Sequence, residues 1–348
     1  MDARGPGSSA SLFRKPAPPG PPPAAARPGP PPAAPPAVRR ARFHGSGGTL
    51  FGLSVVNVLR TLLTLGVYYF WGKTRIRRYL FGQTEFEGDR FGYHGTGAEL
   101  CWGFARAFVV FFVPILGLSL IRDVLDVDPG LKGLAAFGIS VLVLVFIPVA
   151  MVGARRYRLS RASWRGIRLS FRGRAGQFIG IFLRGTLLVG VTFGLYYPWF
   201  ATERQAFMVS HSHFGNERFA FDGKGRDLFW PFLLAVLLTL PTLGLGWVWF
   251  IARRRRFFWN HTAFGEARFR STVTGSALLG LWLLNALLLV GTLGLGWPWV
   301  RVRTLQFTLR YLALEGPLDV ERIRQQAREA SATGEGLASF LDTGFDLG

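Results

Sequence analysis

Apolar residues gather into six segments, at about 49–71, 98–121, 131–153, 176–200, 227–251 and 275–300, with basic and aromatic stretches between them. Uncharged runs at 133–154, 228–252 and 271–300 are each long enough for the roughly 20 helical residues that cross a bilayer core. The later segments repeat every fifty residues. Gly194, Gly244 and Gly294 follow Thr192, Thr242 and Thr292 by two residues and precede Trp199, Trp249 and Trp299 by five. Gly66 has the same neighbours, Thr64 and Trp71, and a degenerate copy surrounds Leu144. A fixed period of this size marks one supersecondary unit copied along the chain.

Between apolar segments the pattern changes to period two. Phe91 and Tyr93, Leu169 and Phe171, Phe219 and Phe221 hold matching places, with Phe269 and Ser271 as a weaker copy. Alternation of this kind predicts strands. Glu87-Gly88-Asp89, Gly215-Asn216 and Gly265-Glu266 supply turns, so each copy reads as a β-hairpin. A closing Gly-x-Gly, first seen in Phe43-His-Gly-Ser-Gly47, is expected to turn the chain sharply into the next helix. The fold expected is a mainly α membrane protein: about six apolar helical segments in five quasi-repeats, each followed by a short basic and aromatic β-hairpin.

Two topologies fit. Six plain spans share Lys and Arg equally between the faces and put homologous hairpins on opposite sides, against the excess of positive charge expected inside. The surplus length between Gly66 and Leu144 accommodates two full segments, 98–121 and 131–153, joined by the acidic link Asp123–Asp128. Two crossings return the chain to its starting side. By internal homology the shorter units also return, as re-entrant helical hairpins with Thr-x-Gly at the turn. Every basic collar is then cytoplasmic, and this topology is the preferred one.

The ends are different material. Residues 1–40 hold 13 of the 21 prolines and have little to bury, so an extended, mobile tail is expected. It lacks the apolar stretch of a secretory signal and should be retained. The repeat membrane domain covers 41–314, and 315–348 forms an acidic tail with room for a short amphipathic helix. The net charge of +21 sits at the ends of apolar segments, beside Trp and Tyr, rather than on a separate domain. That placement suits a headgroup collar and argues against nucleic acid.

The stretch Val55–Trp71, then Arg77-Arg78-Tyr79, then Arg90-Phe-Gly-Tyr-His-Gly95, resembles the YjgN family of bacterial inner-membrane proteins over about residues 42–312. The resemblance implies a polytopic inner-membrane protein and brings no catalytic residues, cofactor or known activity. The short third, fourth and fifth units depart from longer members, which have room for extra spans.

Candidate chemistry is sparse. Cys101 is the lone cysteine, and His211-x-His213 lacks the further ligands of a metal site. No phosphate-cradling loop or nucleophile elbow is present, so an enzyme is not expected. Asn57, Arg60, Arg184 and Asn285 are candidate polar groups at membrane depth, where such residues tend to mark function. Glu99 and Asp227, each opening an apolar segment, are the expected partners for these arginines. Arg77, Arg78, Arg155, Arg156 and Arg253 through Arg256 (Arg253, Arg254, Arg255, Arg256) are candidate ligands for anionic lipid headgroups. A structural or lipid-interacting membrane protein is expected. The alternative is a channel or transporter for small anionic solutes, and a membrane enzyme stands behind both.

Overall fold

The computed structural model describes residues 38–318 other than 126. Most of the expected N-terminal tail and most of the acidic C-terminal tail thus lie outside the described residues. Val38 and Arg39, assigned above to the tail, instead form a strand.

Five units follow one another. β1 (Val38–Arg39) and β2 (Arg42–Phe43) lead into α1 (Gly47–Leu63) and α2 (Tyr69–Gly82), then the hairpin β3 (Thr84–Phe86) and β4 (Asp89–Tyr93). The second unit holds α3 (Gly97–Ala107), a π-helical stretch at Phe108–Phe112, α4 (Val113–Asp123) and α5 (Pro129–Ser160), then β5 (Ala162–Trp164) and β6 (Ile167–Phe171). The third has α6 (Ala175–Val191), α7 (Tyr197–Ser210), β7 (Ser212–Phe214) and β8 (Glu217–Phe221). The fourth has α8 (Gly225–Leu237), α9 (Gly246–Asn260), β9 (Thr262–Phe264) and β10 (Ala267–Ser271). The last has α10 (Gly275–Gly291), α11 (Trp297–Arg310) and β11 (Leu312–Glu315).

The strands make one antiparallel meander from β2 to β11, and β11 pairs with β1. Because only Arg40 and Ala41 separate β1 from β2, the two ends of the meander meet on one short segment and the sheet closes on itself. The alternation foreseen from sequence sorts its faces. Phe86, Phe91, Trp164, Phe214, Phe219 and Phe264 border one shared cavity of about 470 Å³ inside the ring. Arg90, Arg168, Arg218 and Arg268, one residue away from this inward set, are exposed. The hairpin turns follow the primed geometry that suits strand twist. Glu87 and Gly88 have φ of 52° and 80°, and Arg165 and Gly166 have 50° and 78°.

Among the described residues, only two helical stretches are long and apolar enough to cross a bilayer, Gly97–Asp123 and Pro129–Ser160. The other four apolar segments are each broken into two helices, with the break at the Thr-x-Gly. The break has one design. Thr64 Oγ1 donates to the Arg60 carbonyl and accepts from the Tyr68 N–H, while the Gly66 N–H reaches back to the Thr61 carbonyl at 2.7 Å. Thr192, Thr242 and Thr292 act alike, with Gly194, Gly244 and Gly294 in the place of Gly66. This is a Schellman-type helix end, in which orphan carbonyls are satisfied locally.

The Gly-x-Gly element does not serve the purpose expected of it. None of these glycines has a positive φ; their role is to let aromatic side chains approach. A Cβ on Gly225 would lie 2.6 Å from the Trp199 Cα, and one on Gly97 would lie 2.7 Å from the Trp71 Cα. Each tryptophan belongs to the preceding unit, so these contacts join units. Trp299 of the last unit covers Gly47 of the first, and α11 packs on α1. The helices therefore close into a ring along with the sheet.

Candidate functional site

The polar residues proposed for membrane depth each find a partner within their own unit. Asn57 is buried in α1 and donates through Nδ2 to the Gly72 carbonyl of α2 at 3.2 Å. Asn285 is its counterpart in α10, donating to Thr304 Oγ1 of α11 at 3.3 Å. Both amides pin the two arms of a helical hairpin, and each leaves its Oδ1 unpaired. Arg60 donates to the Tyr68 hydroxyl at 2.9 Å across the turn. Arg184 pairs with Glu203 Oε2 at 2.8 Å, and the Tyr196 hydroxyl donates to the other carboxylate oxygen. The four residues thus sit in the first, third and fifth units and share no common site.

The partners expected for the arginines are also corrected. Glu99 completes a capping box with Thr96 at the start of α3 and binds Arg161 at 2.8 Å. Asp227 lies in the first turn of α8, where a carboxylate favours the helix dipole, and has no ion-pair partner among the described residues. Glu203 was the acid to find. It lies nine residues past Gly194 and Arg184 lies ten before it, so a hairpin turning at Gly194 sets them face to face.

The collar arginines divide into two groups. Arg77 donates to the Tyr93 hydroxyl, Arg78 to the Gly95 carbonyl, Arg155 to Ser212 Oγ and Arg156 to the Gly173 carbonyl. Arg254 donates to the Tyr197 hydroxyl and lies over the Phe250 ring. These five tie helix bases to neighbouring hairpins, turns or helices. Arg253, Arg255 and Arg256 have neither a hydrogen bond nor an ion pair among the described residues.

His211 and His213 do not present a common face. His211 caps α7 with Nδ1 against the Phe207 carbonyl at 2.9 Å, while His213 lies on β7 with Nδ1 against the His211 carbonyl. Burial pushes the His213 imidazole below its ordinary pKa, so it is neutral at physiological pH.

The feature that sequence reasoning missed is at the four helical-hairpin tips. Leu65, Phe193, Leu243 and Leu293 have φ near +50° and are 96%, 98%, 94% and 93% exposed. A left-handed conformation costs an ordinary side chain roughly 1–2 kcal/mol, and glycine is the usual residue there. Here a large apolar side chain occupies the position four times and packs against nothing in the protein. The signal was the residue between Thr and Gly in each turn, which reads simply as apolar in a run of apolar residues.

Inner membrane protein YjgN of Salmonella typhimurium is 34% identical over 130 residues, and that of Escherichia coli O157:H7 is 36% identical over 129. Each alignment covers 37% of this chain and 30% of the relative, so the chain matches under a third of the length of these curated proteins. No solved structure matches it. A family model matches residues 38–248 and 230–340, which takes in all five units from β1 to β11, and the chain belongs to that family, described as bacterial protein of unknown function (DUF898).

Proposed function

We propose that the chain is a multi-pass protein of the bacterial inner membrane that works at the cytoplasmic face, holding anionic lipid against its basic collar. Its role is structural or lipid-handling, without an enzymatic step. The observation that carries the reading is the set of four exposed apolar tips. In water, such a residue in a left-handed turn gains nothing for its strain; in hydrocarbon, its burial offsets the strain. Irregular backbone at that depth requires its polar groups to be satisfied internally, and the Thr hydroxyls and glycine N–H groups of the turns meet that condition. The 17-residue arms of α1, α6 and α10 are about 25 Å long, short of the ~30 Å core, so they suit dipping rather than crossing.

The closed sheet supports one-sidedness. Every helical unit leaves the sheet and returns to it, and one hydrogen-bonded sheet whose two edge strands are joined through Arg40 and Ala41 cannot be divided by a bilayer. Positive charge then gathers at the cytoplasmic face, in accord with the inside rule. The four polar residues on which an anion channel would depend are spread over three units and bonded within them, which leaves the transport alternative without a shared path.

Single cysteines test this topology after Cys101→Ala. At Arg90, Arg168, Arg218 and Arg268, which are exposed at equivalent places on the sheet, a membrane-impermeant thiol reagent should label none in intact cells and all four after permeabilisation. A cysteine at Val124, in the link between α4 and α5, should react from outside. Labelling of Arg218→Cys alone among the four in intact cells would favour six plain spans and end the one-sided reading.

A further inference from the structure

The fourth unit departs from its siblings. α8 has 13 residues where α1, α6 and α10 have 17. Pro231 lies inside it and Pro241 follows in the turn, which runs from Leu238 to Leu245 before α9 begins. Proline removes a helix hydrogen bond and clashes with the preceding turn, so this arm ends early. The missing turn of helix leaves a groove of about 970 Å³, open on one side and running from the hairpin tip to the helix base. Leu234, Leu238, Leu243 and Trp249 wall its length, and Arg253 and Arg256 stand at its base.

The base of the groove carries unmatched positive charge. Arg78 and Arg156 spend their guanidinium groups on the carbonyls of Gly95 and Gly173, seventeen residues further on. The same interval from Arg256 reaches Val273, a buried side chain in place of the glycine, and no such bond forms. Arg253 is likewise unpartnered among the described residues, and no carboxylate borders the groove. The start of α10 also lines it at Thr274, Gly275 and Ser276. Thr274 caps the Ala277 N–H, while the N–H groups of Gly275 and Ser276 have no partner among the described residues and lie at the end of the helix dipole that favours an anion.

We infer that this groove is a site for one anionic phospholipid, with its phosphodiester between Arg253, Arg256 and the start of α10, and its acyl chains along Leu234, Leu238 and Leu243. The inference rests on the membrane reading above. A phosphodiester fits because it is an oxygen-rich anion able to accept from two guanidinium forks and a helix N-terminus together. The apolar walls lead from that point toward the tip, as acyl chains would. A free anion uses the basic end but leaves the walls without an occupant.

The test uses the full chain in detergent micelles and native mass spectrometry, which counts lipid molecules held per chain. Dioleoyl phosphatidylglycerol is compared with dioleoyl phosphatidylcholine, and inorganic phosphate is added as a competitor. The wild-type chain should hold one phosphatidylglycerol in preference to phosphatidylcholine, with little displacement by phosphate. Arg253→Gln with Arg256→Gln should weaken retention about thirtyfold, since each basic residue at a headgroup contributes roughly fivefold. Leu238→Trp, which fills the groove and leaves the charges, should also lower retention. Arg303→Gln removes the collar charge at the position equivalent to Arg253 in the next unit and should change it little. Equal retention of both lipids, displacement by inorganic phosphate, or a loss in Arg303→Gln as large as in the double variant would each overturn the proposal. Cell fractionation separates the two levels. A chain absent from the membrane fraction defeats the membrane reading itself; a membrane-bound double variant with wild-type retention defeats only the groove.

Discussion

Aspartate at all four hairpin tips, Leu65, Phe193, Leu243 and Leu293, is expected to drive the chain out of the carbonate-resistant membrane fraction. A carboxylate near mid-bilayer depth costs about 3 kcal/mol per site, so the four together oppose insertion by on the order of 10 kcal/mol. The sign of the effect makes this test decisive. Asp tolerates the left-handed conformation better than Leu, so a tip in water should be unharmed or stabilised by the change, with up to roughly 1–2 kcal/mol of backbone strain relieved. A tip in lipid should be severely penalised. Leu293→Asp alone provides a milder version, read as lowered insertion or abundance. If the quadruple variant inserts normally and unfolds at a higher temperature than the parent chain, the tips are in water and the proposed membrane placement fails.

Gly225→Ala and Gly97→Ala should each lower stability by about 3 kcal/mol, at the upper end of the range for overpacking a filled site. The new methyl would meet the Cα of Trp199 or Trp71, at 2.6 Å and 2.7 Å, and a backbone atom cannot be moved aside as a side chain can. Relief requires one unit to shift against the next, so the ring should loosen at that joint. Gly176 and Gly180 provide the control, because a Cβ at either meets nothing within 4 Å. Alanine there, at helical positions, should stabilise by roughly 0.5–1 kcal/mol through reduced backbone entropy. Thermal unfolding in detergent measures all four. Equal, small effects at all positions would show that the joint is not tightly packed.

The Arg184–Glu203 pair and the hairpin tips mark where legibility stopped. Once Gly194 is known to be a turn, the pair follows from symmetry about it. Read along the chain, however, a charged residue in an apolar run calls for the acid that opens a segment, and Glu99 and Asp227 were named for that reason. Glu99 is used instead to cap α3 and hold Arg161. The groove had a visible trace in Pro231 and Pro241, but its meaning depends on α10 standing beside α9.

The sequence by itself determined the local elements. The fifty-residue spacing of Thr, Gly and Trp, the switch to period two around Phe91, Leu169 and Phe219, and the turn glycines are patterns within one unit, where neighbours along the chain are neighbours in space. Composition likewise pointed to a bilayer, since the length of uncharged apolar runs needs no partner to be read. Only the tertiary structure decided that the units close. Val38 pairs with Glu315 and Trp299 covers Gly47, contacts between opposite ends of the described chain that no local pattern encodes. It also decided the purpose of the second glycine in Gly-x-Gly, because the ring it admits comes from the preceding unit and not from its own. Conformation at Leu65, Phe193, Leu243 and Leu293 was hidden for a related reason: propensity assigns leucine and phenylalanine to the helix, and the hydrogen bonds of the turn override that preference.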